Sequence, residues 1–228
     1  MIVIKNNKLK RILGLTIPLV FIPAVAICGS VLFSEQKHIF VSLVVAFFSL
    51  VLFITGFERK VTGTRRMVLV AVMTAVSVLG RFIPFFKPIT ALTVITAMYL
   101  GGEAGFLVGA FSALLSNFYF GQGPWTAFQM LAWGLIGYVA GLMAESLKRN
   151  RALLLTYGVL SGIAFSLIMD VWTVLWYSAG FDMDLYLASI TAAIPHTILY
   201  AVSNFIFLFF LAKPFGDKLE RIKVKYGV

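Results

Sequence analysis

The sequence predicts an all-α membrane protein with about eight transmembrane helices. Of its 228 residues, 61% are hydrophobic and only 12% are charged. The apolar residues form successive runs of about 20, which is long enough to cross a bilayer, and the short alternating segments of a β-barrel are absent. The predicted spans cover residues 12–33, 38–57, 66–83, 87–101, 104–119, 126–145, 152–178 and 187–212.

The first two spans are predicted to form a separate N-terminal unit. Basic residues precede span one as in a signal peptide, but its long apolar run and the lack of a clear cleavage site indicate a retained helix. The polar segment 58–66 then separates a two-helix unit (1–63) from a six-helix core (64–212) and a basic tail (213–228). The single cysteine, Cys28, excludes disulfides within the chain and a thiolate metal cluster. The two histidines, His38 and His196, are far apart in the sequence, so we expect no metal site, and we expect no cofactor.

Small residues repeat at steps of three or four along the fifth and sixth spans. Such stripes allow helix backbones to approach closely in lipid, so helix packing is favoured over a ligand-facing or sliding surface. Span four is short and begins at Pro88, which predicts a break just before it. The stripe residues are Gly101, Gly105, Gly109, Ser112 and Ser116, followed by Gly134, Gly137 and Gly141.

A break rich in amides and aromatics separates spans five and six, with the sequence NFYFGQGPWTAFQMLAW from Asn117 to Trp133. Polar groups at membrane depth are tolerated where protein or a water-filled cavity receives them, so we expect a small molecule to bind here. A polar turn with an interfacial aromatic belt is the alternative. The candidate substrate-binding residues are Asn117, Phe118, Tyr119, Gln122, Trp125, Gln129 and Trp133.

Spans seven and eight each carry one ionisable residue at a similar predicted depth, Asp170 and His196. These two side chains could contact the ligand, or they could pair with each other and only hold two helices together. Thr173 and Tyr177 share the predicted face of Asp170, and Tyr200 continues that of His196. All five complete the predicted substrate site.

The formal net charge of +10 reports topology rather than a nucleic-acid partner. With a cytoplasmic N-terminus, sixteen of the nineteen Lys and Arg residues fall on the inner side, and only Lys37, Arg81 and Lys87 fall outside. The excess of basic residues on cytoplasmic loops therefore predicts that both termini face the cytoplasm.

Motifs for ATP binding and for common hydrolytic chemistry are missing. The chain has no G-x-x-x-x-G-K-[ST] loop, no H-E-x-x-H and no G-x-S-x-G. Uphill transport would therefore draw on partner subunits or an ion gradient, and we expect no enzymatic activity. The alternative is a membrane-embedded enzyme for a lipid or prenyl substrate, with Asp170 and His196 as acid and base.

The six-helix core, residues 64–212, resembles the substrate-binding subunit, or S component, of energy-coupling factor (ECF) vitamin transporters, and the likeness is greatest in the run from Gly101 to Leu142. Ala71 and Ala75 match the family's Ala-x-x-x-Ala pattern, which implies that they dock on a coupling subunit. The resemblance implies a six-helix core, here with two extra N-terminal helices, in a bacterial plasma membrane. It also implies capture of a vitamin outside, with cobalamin as the first candidate. Toppling of the subunit, driven by the coupling subunit and two ATPases, would then release the vitamin inside.

Overall fold

The computed structural model describes residues 6–32, 38–55, 60–85, 87–178 and 181–226. These residues form α-helices and one π-helical turn, with no strand. Lys37 and residues 56–59, which the predicted boundaries include, lie outside the described residues. The helices are α1 (Asn7–Thr16), α2 (Ile22–Leu32), α3 (His38–Thr55), α4 (Lys60–Gly80), α5 (Ile89–Leu100), α6 (Gly102–Phe120), α7 (Trp125–Leu142), α8 (Ala144–Arg149), α9 (Arg151–Tyr177) and α10 (Met183–Tyr226).

The predicted all-α membrane class is confirmed. Within the described residues, five segments are long and apolar enough to cross a membrane, and two further apolar helices are shorter. The first five are Asn7–Gly29, Gly63–Gly80, Trp125–Leu142, Arg151–Tyr177 and Met183–Tyr226, and the shorter two are Ile39–Ile54 and Ile89–Leu100. One boundary differs, because α10 continues to Tyr226 and so the basic segment predicted as a tail from residue 213 is helical.

The N-terminal unit packs on the core. A π-helical turn, Ile17–Phe21, joins α1 to α2. It forms at Pro18, because proline lacks a backbone N–H donor and interrupts the regular hydrogen bonds of an α-helix. The hydroxyl of Tyr138 on α7 donates to the carbonyl of Gly14 in α1, at 2.6 Å. Helix α3 lies against α6 and α7, while α2 lies against α9. The unit therefore covers part of the core.

Helices α6 and α7 approach each other closely through glycine. A Cβ placed on Gly137 would lie 2.6 Å from the backbone of Gly105, and one placed on Gly141 would lie 2.2 Å from the Cα of Gly102. Neither contact leaves room for a side chain. The small-residue stripes therefore act in helix packing, as the sequence favours.

Helices α9 and α10 form the second close pair. The Asn204 Nδ2 donates to the carbonyl of Gly158 at 3.0 Å, and the Thr197 hydroxyl donates to the Ser166 hydroxyl at 2.7 Å. The bundle has two ends. One, which we name the Asn117 end, contains Asn117 and the loop between α4 and α5. The other, the Tyr99 end, contains Tyr99, α8 and the last turns of α10.

Candidate functional site

An amide pair, in which Asn117 is buried and Gln129 is half-buried, joins α6 to α7 at the Asn117 end. Asn117, which is 1% exposed, donates from Nδ2 to Gln129 Oε1 at 2.8 Å and to Thr126 Oγ1 at 2.9 Å. The Thr126 hydroxyl in turn donates to Gln122 Oε1 at 3.0 Å, and Gln122 Nε2 donates to the Leu114 carbonyl at 2.9 Å. Three predicted site residues, Asn117, Gln122 and Gln129, thus belong to one hydrogen-bonded network.

Arg81 completes this network from the loop after α4. Its Nη1 donates to Asn117 Oδ1 at 2.6 Å and also to the Ser116 hydroxyl. The guanidinium lies 4.8 Å from the centre of the Phe120 ring and 5.7 Å from that of Trp133, distances at which cation–π attraction operates. From the sequence, Arg81 was assigned only to the outer side of the membrane. The sequence indicated its importance only in that Arg81 is one of three basic residues on the outer side.

An aromatic wall lies beside the amide pair and is built from three helices. The Trp133 ring stacks on Phe165 with centroids 4.6 Å apart and an interplanar angle of 23°, and Tyr200 meets Phe165 edge-on at 5.1 Å. Trp133 and Tyr200 were predicted, whereas Phe165 was missed. Nothing in the sequence distinguishes Phe165 from the other 21 phenylalanines.

The loop between α4 and α5 contacts α10 far from the first residue of that helix. The backbone N–H of Lys87 donates to the Ser203 hydroxyl at 2.9 Å, and Ser203 donates back to the Lys87 carbonyl at 3.1 Å. Ser203 is about 30 Å along α10 from Met183 at the helical rise of 1.5 Å per residue, and Lys87 Nζ donates to the Arg81 carbonyl at 2.7 Å, which keeps Arg81 near the same level. Two cations therefore lie deep within the length of this helix.

Asp170 faces the protein interior on α9, on the same buried stripe as Phe165 and Ser166. Its side chain is buried, with 7% exposure for the residue. Among the residues that the structure describes, it has neither a hydrogen-bond nor an ion-pair partner. A buried carboxylate without a partner is costly, so a hydroxyl or amide from a bound molecule would lower that cost.

His196 does not pair with Asp170, because His196 is exposed. The adjacent residue on α10, Thr197, faces α9 and bonds to Ser166, and successive residues on a helix point about 100° apart. Among the described residues, no hydrogen bond or ion pair joins the two side chains. Tyr177 is 72% exposed, and Thr173 donates to its own helix at the Met169 carbonyl.

The aromatics of the break have different environments. Phe118 and Tyr119 are more than 70% exposed, and Tyr119 packs on Phe82 with ring centres 4.7 Å apart. Trp125 is half-buried and meets Trp172 edge-on at 5.9 Å. Trp125 therefore packs inside the protein, whereas Phe118 and Tyr119 present their rings to the surroundings.

Ala71 and Ala75 are exposed on α4 and line an apolar groove of about 270 Å³. Leu50 and Phe53 of α3 form one wall of the groove, and residues of α6 form another, including Phe111. The additional helix α3 therefore borders the two alanines and leaves them accessible.

Comparison with known proteins gives one family. The model of the family described as "ECF-type riboflavin transporter, S component" matches residues 61–220, which is more than two thirds of the chain. No curated protein and no solved structure gives a match. The matched range begins at the start of α4 and includes the amide pair, the aromatic wall and both alanines. The chain belongs to the family of S components of ECF-type riboflavin transporters.

Proposed function

We propose that this S component binds riboflavin, or a molecule with the same flavin ring, at the Asn117 end of the bundle. Membership of the family makes the chain a membrane subunit of a vitamin transporter and not an enzyme, so an enzyme acting on a lipid or prenyl substrate finds no support. Cobalamin, the first candidate from the sequence, is not confirmed by the family match, whose name refers to riboflavin.

The amide pair beside an aromatic wall is the observation that carries the proposal. A flavin has a flat aromatic ring system whose polar edge alternates hydrogen-bond donors and acceptors. The Trp133 and Phe165 rings stack on each other, so their edges would border such a plane. Gln129 Nε2 has no hydrogen-bond partner among the described residues, so it can donate to a ring carbonyl without breaking its bond to Asn117.

Asp170 suits the other half of the ligand. The ribityl chain of riboflavin carries several hydroxyl groups, and hydroxyls are good donors to a carboxylate. Asp170 is buried on the stripe that includes Phe165, and it lies about 7.5 Å closer to the end of α9. A hydroxylated chain reaching past Phe165 would therefore give this carboxylate the partners that it lacks.

The proposed transport cycle uses the two ends of the molecule and its lateral groove. The distribution of basic residues supports cytoplasmic termini, which directs the Asn117 end outward for capture. We propose that Ala71 and Ala75 dock on the coupling transmembrane subunit, and that two ATPase subunits supply the energy for toppling and release. The exposure of both alanines in the groove supports this role.

Ligand identity is tested with purified protein freed of bound molecules. Riboflavin is titrated by following the quenching of its fluorescence, and cobalamin is added as a competitor. We expect saturable binding of riboflavin that cobalamin does not displace. Binding of cobalamin with no binding of riboflavin would overturn the proposal.

Matched variants test the site itself. Gln129→Ala removes one hydrogen bond worth about 1 kcal/mol, which predicts about fivefold weaker binding of riboflavin. Asp170→Ala removes hydrogen bonds to a charged acceptor, worth about 1.5–3 kcal/mol, so the loss is about tenfold or more. Asp184→Ala, on an exposed carboxylate in the first turn of α10, should leave binding unchanged. Equal affinities for Asp170→Ala and Asp184→Ala would place the ligand elsewhere.

A further inference from the structure

A second cavity lies at the Tyr99 end of the bundle, remote from the amide pair. It has a volume of about 200 Å³ and is bounded by α5, α8, α9 and α10. Its apolar lining comes mainly from Met98, Leu147, Leu154 and Leu208. Neither the vitamin site nor the groove beside α4 shares any of these residues.

Three cationic side chains border this cavity, together with one carboxylate. The cations are Lys148 of α8, Arg151 of α9 and Lys213 of α10, and the carboxylate is Asp217. Because the three cations come from three different helices, their convergence results from the fold and not from a run of basic residues. The cavity therefore attracts an anion at its rim while its lining is apolar.

Two of the cations are held in place by neighbouring rings. Arg151 Nη2 donates to the Phe209 carbonyl at 3.1 Å, and the guanidinium lies 4.2 Å from the centre of the Phe209 ring. This hydrogen bond uses one of the five N–H donors of arginine. The Lys148 ammonium lies 4.7 Å from the centre of the Tyr99 ring and 4.0 Å from Glu145 Oε1, so Glu145 balances part of its charge. Arg151 is also the first residue of α9, where the positive end of the helix dipole adds to its charge.

We propose that this cavity binds an anionic glycerophospholipid. Its phosphate would lie between Arg151, Lys213 and Lys148, and the start of an acyl chain would cover Leu208 and Leu154. An apolar floor with a cationic rim fits a molecule that carries both kinds of group, and basic pockets between transmembrane helices bind anionic lipid head groups in this way. Asp217 lowers the net positive charge and limits the affinity.

Lipid retention measured by native mass spectrometry tests the proposal. The protein is transferred from nanodiscs of phosphatidylglycerol and phosphatidylcholine, which share the phosphate and differ in net charge. We expect preferential retention of phosphatidylglycerol. Each removed cation should weaken retention about fivefold, so Arg151→Gln with Lys213→Gln should weaken it about 25-fold.

Arg149→Gln is the matched control. Arg149 lies two residues from Arg151 but does not line the cavity. Its side chain is highly exposed, and its Nη2 lies 4.0 Å from Glu145 Oε2. Retention should be unchanged in this variant. Asp217→Asn should strengthen retention about two- to fivefold, which provides a test even if the double variant does not fold. Equal loss in the Arg149 and Arg151 variants, or no gain with Asp217→Asn, would overturn the proposal.

A soluble ligand is distinguished by competition. Glycerophosphoglycerol is phosphatidylglycerol without its acyl chains and carries the same phosphodiester. It should not displace the bound lipid, because it cannot cover the apolar lining. Displacement at millimolar concentration would assign the cavity to a soluble phosphate ester and overturn the lipid assignment.

Discussion

Replacing Asn117 with alanine should destabilise the protein more than any other single polar truncation at this site. Asn117 is 1% exposed and makes hydrogen bonds to Arg81, Thr126 and Gln129. Two of these bonds join neutral groups and contribute about 1 kcal/mol each, whereas the bond from the guanidinium contributes about 1.5–3 kcal/mol. We therefore expect Asn117→Ala to lower the free energy of unfolding by about 3.5–5 kcal/mol.

The measurement is unfolding of purified protein in detergent, followed by circular dichroism across a denaturant titration. Thr156→Ala on α9 is the matched control, because Thr156 is exposed and such substitutions change stability by about 0.5 kcal/mol or less. Asn117→Asp keeps an acceptor for Arg81 but loses the Nδ2 donor, so its loss should be smaller than that of Asn117→Ala. A difference below about 1 kcal/mol between Asn117→Ala and Thr156→Ala would refute the reasoning.

Two further predictions concern helix packing and docking. Gly137→Ala should lower stability by about 1–3 kcal/mol, because its Cβ would lie 2.6 Å from the backbone of Gly105, which cannot rotate away. A Cβ on Gly14 would have no atom within 4 Å, so Gly14→Ala should leave the free energy of unfolding unchanged or raise it by up to about 1 kcal/mol in the same assay. Equal effects of Gly137→Ala and Gly14→Ala would contradict the packing argument. Ala71→Leu should reduce copurification of the coupling subunit without changing riboflavin affinity. Val72 is an exposed neighbour outside the groove, so Val72→Leu should not reduce copurification of the coupling subunit. Equal losses of the coupling subunit in the two variants would argue against docking at Ala71.

Helix periodicity and the order of the helices along the chain were enough to predict which residues of α6 and α7 lie together in the candidate site. Gln129 and Trp133 are four apart on α7, where Trp133 is buried and Gln129 is half-buried, and Asn117 lies in the last turn of the preceding helix. A short break between two antiparallel helices brings such residues together without long-range information. The glycine stripes of α6 and α7 were predictable for the same reason, since a step of three or four marks one face.

Other parts of the site depend on how helices rotate about their axes. In a membrane helix both the lipid-facing and the protein-facing sides are apolar, so hydrophobic periodicity does not show which side is buried. The rotation of α10 turns Thr197 toward α9 and leaves His196 exposed, which the sequence could not reveal. The sequence did not place Arg81 in the site, because its contact with Asn117 depends on the path of the short loop after α4, which packs against α10 near Ser203.

The distribution of glycine and polar residues along α6 and α7 explains how these two helices tolerate a polar site. Lipid is as apolar as leucine, so transmembrane helices associate through close packing and hydrogen bonds. Gly105 and Gly137 provide backbone contact toward the Tyr99 end, about 18 Å along α6 from Asn117. The close packing at one end holds the helices together, so the other end need not be apolar. The amide pair then adds hydrogen bonds where a polar ligand can share them.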